Sequence, residues 1–168
     1  MSLIIETGEG LPDSESFATA ADYVAYAAKF GLTVPSTEAE QEANLRNAAL
    51  QMQTMNWKGC RAHSDQALSW PRKGAEVYGE ILPSTLIPAR IQYGQMALAA
   101  EIYQDQIDPP EQRQGPVTKE RVEGAVEVQY AELASINKSK LLPAAPDRPS
   151  HAQFADYLAK RGLFAIRA

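Results

Sequence analysis

Pro88-Ala89-Arg90-Ile91-Gln92-Tyr93-Gly94-Gln95-Met96-Ala97-Leu98-Ala99-Ala100-Glu101-Ile102 is the stretch that sets the fold class. Ile91, Gly94, Leu98 and Ile102 recur at the three- and four-residue steps that stack side chains on one helix face, with Met96, Ala97 and Ala100 beside them. Pro88 suits a first turn, where its missing N–H leaves no helical hydrogen bond unmade. The small residues allow another helix to approach closely.

Three further helices lie on either side of it. Thr19 caps the first, with Asp22 three residues on, and Gly31 provides a left-handed stop after Phe30, so that Tyr23, Tyr26, Ala27 and Phe30 share a face. A second starts at Thr37, with Glu40 completing a capping box, and carries Leu45, Ala48, Ala49, Met52 and Met55 at helical spacing as a core stripe. Its Glu38, Glu40 and Glu42 favour the N-terminal end of the helix dipole and read as a solvated face rather than as general acids. A fourth, short and expected at the periphery, is capped by Ser150 with Gln153 as reciprocal partner, spans Phe154, Tyr157 and Leu158, and stops at Gly162.

Between the third and fourth helices the period changes. Val122, Gly124, Val126, Val128 and Tyr130 alternate with Glu123, Ala125, Glu127 and Gln129, the pattern of a half-buried strand. A strand needs a partner, and the candidates are Leu3-Ile4-Ile5, the 77–82 region, residues 115–121 in a hairpin, or a neighbouring copy. Residues 56–88 hold Trp57, Cys60, His63, Trp70-Pro71-Arg72, Gly74, Gly79, Pro83 and Pro88, too many punctuating residues for one regular element, and read as an ordered long loop. Residues 138–149 contain three prolines and read as an extended arm. The fold class is therefore mainly α: a small bundle of about four helices with an ordered long loop, a β-strand or hairpin insertion and an extended C-terminal arm.

The chain's 168 residues allow one ordinary domain of about 100–200 residues. Apolar residues at 45% and charged residues at 22% give a globular balance, and the net charge of −5 argues against coating nucleic acid by bulk charge. That charge is unevenly spread. Residues 1–55 carry eight acidic and two basic side chains, a net of −6, whereas residues 133–168 carry six basic and two acidic, a net of +4. Opposed ends suit contact between copies, or docking onto an acidic partner, better than catalysis. The single Cys60 leaves no intramolecular disulfide and no cysteine-rich metal cluster, which fits a reducing compartment. The first residues lack a signal-peptide pattern, and no run approaches the ~18 consecutive apolar residues of a membrane span, so neither secretion by that route nor a membrane partner is expected.

No catalytic constellation emerges. His63 and His151 sit in no usable motif, Cys60 and His63 lack an orienting partner for a nucleophilic pair, and no glycine-rich phosphate cradle is present. No catalytic residue, cofactor or metal is expected. Lys58, Arg61, Arg72 and Lys73 beside Trp57 and Trp70 form the one set that could stack on a single strand of nucleic acid. The alternative is that both indoles anchor the loop while Arg72 bonds loop carbonyls, and it is favoured here. Trp57, Trp70, Pro71 and Arg72 are accordingly expected to be scaffold.

Gly10-Leu11-Pro12-Asp13-Ser14-Glu15-Ser16-Phe17, then Ala21-Asp22-Tyr23, Trp57-x-Gly59-x-Arg61, Gln66-x-Leu68-x-Trp70-Pro71-Arg72 and Ile87-Pro88 resemble the head–tail connector, or adaptor, proteins of tailed bacteriophages. Members commonly carry the label of putative DnaT-like single-stranded-DNA-binding proteins. The resemblance covers about residues 8–132, with Phe17 where members commonly have Tyr. It implies a non-enzymatic virion protein, made in the host cytoplasm, that forms a homo-oligomeric ring, dodecameric in the family, between the portal protein and a tail or neck (head-closure) protein. Genomic DNA would pass through the lumen without sequence-specific binding. Residues 1–137 would form the connector domain with its β insertion at about 117–131, and residues 138–168 the Pro-rich arm and C-terminal docking helix and tail. Val126, Val128 and Tyr130 are the expected subunit interface. Leu163, Phe164 and Ile166, with Lys160, Arg161 and Arg167, are the expected portal-docking set, an adjacent connector subunit being the other candidate. The alternative function is a DnaT-like single-stranded-DNA-binding module.

Overall fold

The computed structural model describes residues 3–107, 117–123, 125–130 and 148–159, with 117–123 and 125–130 described by their backbone. In chain order these form α1 (Ala20–Phe30), α2 (Glu38–Gln53), β1 (Cys60–Arg61), β2 (Arg72–Lys73), β3 (Glu76–Val77), β4 (Glu80–Ile81), α3 (Ala89–Ile107), β5 (Val117–Glu123), β6 (Ala125–Tyr130) and α4 (Pro149–Phe154). The architecture is mainly helical with small hairpin sheets.

Local chemistry explains the first two helices. The Thr19 hydroxyl accepts the Asp22 N–H while the Asp22 carboxylate accepts the Thr19 N–H, and Gly31 closes α1 by donating to the Ala27 carbonyl. Thr37 caps α2 by accepting from the Glu40 N–H. Leu45, Ala48, Ala49 and Met52 are buried, whereas Met55 falls beyond the helix end and is partly covered. Glu42 departs from the solvated face expected of it. It is buried, and it accepts from Arg46 at 3.3 Å, one helical turn on.

Helix α3 is the hub, packed by α1, α2 and α4. At its centre Gln95 is fully buried. Its Nε2 donates to the Leu45 carbonyl at 2.9 Å and to Ser16 Oγ at 3.0 Å, while its Oε1 accepts the Phe17 N–H at 2.8 Å. One amide thereby ties α2 and the N-terminal segment to α3 and satisfies backbone groups that burial would otherwise leave bare. Gly94 performs the complementary service on another face. A Cβ there would lie 2.1 Å from Cε1 of Phe154, so only glycine admits the α4 ring to the α3 backbone.

Helix α4 corrects the sequence reading twice. Arg148, not Ser150, holds the N-cap position, and both the N–H and the hydroxyl of Ser150 donate to the Glu101 carboxylate at 2.8 Å. A carboxylate on the hub helix outcompetes the local cap because a charged acceptor makes the stronger bond. The helix also ends at Phe154, well short of Gly162, and Phe154 is part of the core rather than the periphery.

The alternation of residues 122–130 straddles two strands. β5 and β6 pair antiparallel, Val122 opposite Val126 and Glu123 opposite Ala125, with an irregularity between Val117 and Lys119. Of the candidate partners within the described chain, the hairpin neighbour is the one that pairs, and the 77–82 region instead contributes to the β3–β4 hairpin. The long loop thus contains regular structure in the form of two minimal hairpins, β1–β2 and β3–β4. Ile5 makes its bridge to Ser16. Residues 138–147, the greater part of the expected arm, lie outside the described residues.

Candidate functional site

The Trp-Pro-Arg loop is closed by its own chemistry. The Trp57 indole donates to the Met52 carbonyl at 2.7 Å, and its ring meets Trp70 edge-on at 6.1 Å and Phe154 edge-on at 5.1 Å. Trp70 is fully buried, edge-on to Tyr157 at 5.8 Å, and follows the same T-shaped geometry that suits the ring quadrupole. Its Nε1–H has no hydrogen-bond partner. Arg72 directs all three nitrogens inward, Nε to Lys58 O at 2.8 Å, Nη1 to Ser69 O at 3.1 Å and Nη2 to Gly59 O at 2.7 Å. Burial pulls this guanidinium below its usual pKa range. The Trp70–Pro71 peptide is cis.

Gln66 braces the same string, donating to the carbonyls of Leu68 at 2.7 Å and Pro71 at 3.1 Å and accepting the His63 N–H at 2.9 Å. Gly59 has φ 69°, and a Cβ on it would sit 2.5 Å from the Lys73 carbonyl oxygen. Thus Trp57, Trp70 and Pro71 are buried with the half-buried Arg72 beside them, and neither indole presents a face to solvent. Cys60 is exposed and its thiol donates to the Lys73 carbonyl at 3.7 Å, while the His63 ring packs over Gly10.

A second closed element escaped the sequence reading. The Glu6 carboxylate is 1% exposed and accepts from the N–H groups of Gly8, Gly10 and Leu11 at 2.8–2.9 Å and from the Ser14 hydroxyl at 3.1 Å. The loop wraps one anion with four donors. The alternation of small and polar residues around Glu6 was its only trace in the sequence.

Open surface lies elsewhere. Between the N-terminal segment, α1 and α3 runs a groove of about 720 Å³, floored by Phe17, Ala18, Tyr26 and Met96 and flanked by Phe30 and Tyr93. Tyr26 stacks on Tyr93 at 5.8 Å and tilts against Phe30 at 4.5 Å, yet Phe30 is 61% exposed and Tyr93 45%. Phe30 shares the α1 face of Tyr23, Tyr26 and Ala27 but, at the last turn of the helix, is not buried with them. Burial raises the pKa of the Tyr26 hydroxyl at the groove floor. The charged residues lining the groove are Glu6, Asp22 and Lys29. Tyr78 is a further exposed aromatic. Its hydroxyl donates to the Asp156 carboxylate, which also accepts from Arg90 at 2.7 Å, tying the β3–β4 hairpin to the turn after α4.

Val126, Val128 and Tyr130 occupy β6 opposite Val122, Glu120 and Val117 respectively, and their side chains are not among those described. Lys160, Arg161, Leu163, Phe164, Ile166 and Arg167 lie outside the described residues. Among the described residues no group of three or more His, Cys, Asp or Glu is placed to hold a metal ion, and no helix is long and apolar enough to cross a membrane.

Fold and surface together define a helical scaffold with a self-braced Trp-Pro-Arg loop, a two-stranded hairpin and an open aromatic groove. The chain belongs to the family described as putative DnaT-like ssDNA binding protein, whose model matches residues 1–165. No curated protein and no solved structure matches it.

Proposed function

We propose that this chain is a non-enzymatic connector that self-assembles as a ring between the portal and the tail or neck proteins of a tailed bacteriophage, with the genome passing through its lumen. The observation that supports it best is the β5–β6 hairpin, whose strands pair with each other and with no other described strand. A lone two-stranded hairpin is marginal in water, and its outer edges invite strand pairing or cover from a neighbouring subunit. In this role Val126, Val128 and Tyr130 face the adjacent copy, the acidic first third of the chain meets a basic partner surface, and the contacts are heterologous, closing by rotation. The test is the mass of the full chain by analytical ultracentrifugation and its capture by portal-bearing heads. A closed ring that joins heads, and that is lost on replacing residues 117–130 by a short glycine-serine linker, is expected. A chain that stays monomeric and ignores portals overturns the proposal.

A second reading, single-stranded-DNA binding, is favoured by the family's description and by Phe30, Tyr93 and Lys29 in the groove. Against it, the two tryptophans that suited stacking are buried and the half-buried Arg72 is engaged by loop carbonyls, and Glu6 and Asp22 share the groove with the lysine. Salt separates the two. A protein neutralising six phosphates of an oligo(dT) should lose roughly 300-fold in affinity between about 50 and 200 mM salt, whereas a connector should show background affinity at both.

A further inference from the structure

We infer that the aromatic groove between α1 and α3 receives residues 160–168 of a second copy of this chain. The groove is of a size, about 720 Å³, that encloses a small ligand or a few side chains, and Phe30 and Tyr93 leave apolar surface open at its mouth. Residues 160–168 supply a matching segment. Leu163, Phe164 and Ile166 are large and apolar, and Lys160, Arg161 and Arg167 flank them with no acidic side chain between. The segment bearing α1 and α2 carries the opposite sign, a net of −6 over residues 1–55, so long-range attraction brings the basic segment toward this side of the molecule.

The placement of α4 says which copy supplies it. Gln92, Tyr93 and Met96 line the groove, whereas Gly94 faces Phe154 of α4, about 100° round α3 from Tyr93 and about 200° from Gln92 and Met96. The described chain ends beyond α4 at Ala159, whose N–H is held by the Asn56 carbonyl at 2.8 Å. The α4 contact therefore lies on a different side of α3 from the groove. Nine residues span at most about 30 Å when extended, a reach suited to an adjacent copy presenting its α1–α3 face. A single lysine with two carboxylate residues, Glu6 and Asp22, makes the groove a poor track for a phosphate backbone, which favours the peptide over a nucleic-acid strand.

The inference rests on self-assembly, which is part of the connector reading, and disulfide trapping tests it without removing any anchor. In full-length chains carrying Cys60→Ser, Gln92→Cys on one tagged copy is mixed with Ala165→Cys on a differently tagged copy, with Glu76→Cys as the control site. A bound segment raises the local thiol concentration, so the 92–165 pair should link between copies about 10²-fold faster than the 76–165 pair. Adding Phe164→Ser or Tyr93→Ser should bring the rate down to the control. Three outcomes overturn the inference: linkage no faster than the control, linkage that occurs only when both cysteines share one chain, or an unlinked pair together with oligo(dT) affinity that Tyr93→Ser abolishes. A chain that forms rings but does not link overturns this inference alone, whereas a chain monomeric at every concentration overturns the connector reading with it.

Discussion

The Trp-Pro-Arg loop and the α1–α3 groove are built from similar materials and have opposite fates. Both bring aromatic rings beside a cation. In the loop, Phe154 and Tyr157 from the far end of the chain complete an edge-on ring cluster over Trp57 and Trp70, and the three carbonyls around Arg72 take up its donors. In the groove, Tyr26, Phe30 and Tyr93 stack among themselves, and no further described element covers them. An aromatic-basic cluster becomes scaffold or surface according to whether another element arrives to close it. Here the decisive arrival is α4, admitted by Gly94.

The sharpest way to break that contrast is Trp70→Ala, which empties the most buried ring of the loop. A loss of roughly 3–5 kcal/mol in unfolding free energy is expected by analogy with large-to-small core changes, measured by urea denaturation. An unchanged midpoint would mean that the loop is not scaffold. Glu6→Gln comes next. It replaces one acceptor oxygen by a donor pointing at backbone N–H groups and removes the charge from four hydrogen bonds, so a loss of about 2–3 kcal/mol is expected. Faster hydrogen exchange at Gly8, Gly10 and Leu11 would localise the damage.

On the open side the same kind of truncation should leave the fold nearly intact. Tyr93→Ser removes one partly exposed ring from a stacked pair, and about 1 kcal/mol or less is expected, alongside a reduced oligomeric mass by sedimentation. A loss as large as that of Trp70→Ala would place the groove in the core and erase the comparison. The smallest expected effect is electrostatic. The hydrogen bond from Arg46 holds the Glu15 carboxyl below its ordinary value of 4.5. A depressed folded-state value stabilises above the unfolded one and is lost as pH falls through the folded one. The difference in thermal midpoint between the wild type and Glu15→Gln should therefore be small at pH 7, shrink below pH 4.5, and vanish in an Arg46→Ala background.

At the alkaline end a buried phenol reports on the core between α1 and α2. Burial pushes Tyr23 up to about 12, with the neighbouring Asn44 side chain acting against it although no hydrogen bond closes between them. A raised folded-state value stabilises below the unfolded one, near 10, and that contribution is lost as pH climbs from there toward 12.

Sequence alone determined the elements whose causes are local. Thr19 with Asp22, Thr37, Pro88 and the apolar spacing of α2 and α3 act within a few residues of themselves, and the helices stand where those signals put them. The period-two pattern of residues 122–130 likewise marked β structure, though not its division into two antiparallel strands, because the alternation runs on unbroken from one strand into the next. Only the tertiary structure decided matters that depend on distant partners. Ser150 left its expected cap for Glu101, 49 residues away, Gln95 became a core residue through Ser16 and Leu45, and Phe30 stayed exposed at the end of α1 although Tyr23, Tyr26 and Ala27 on its face are buried. Burial is a property of what packs against a face. Periodicity shows which residues share that face, and only the assembled chain supplies or withholds the element that covers it.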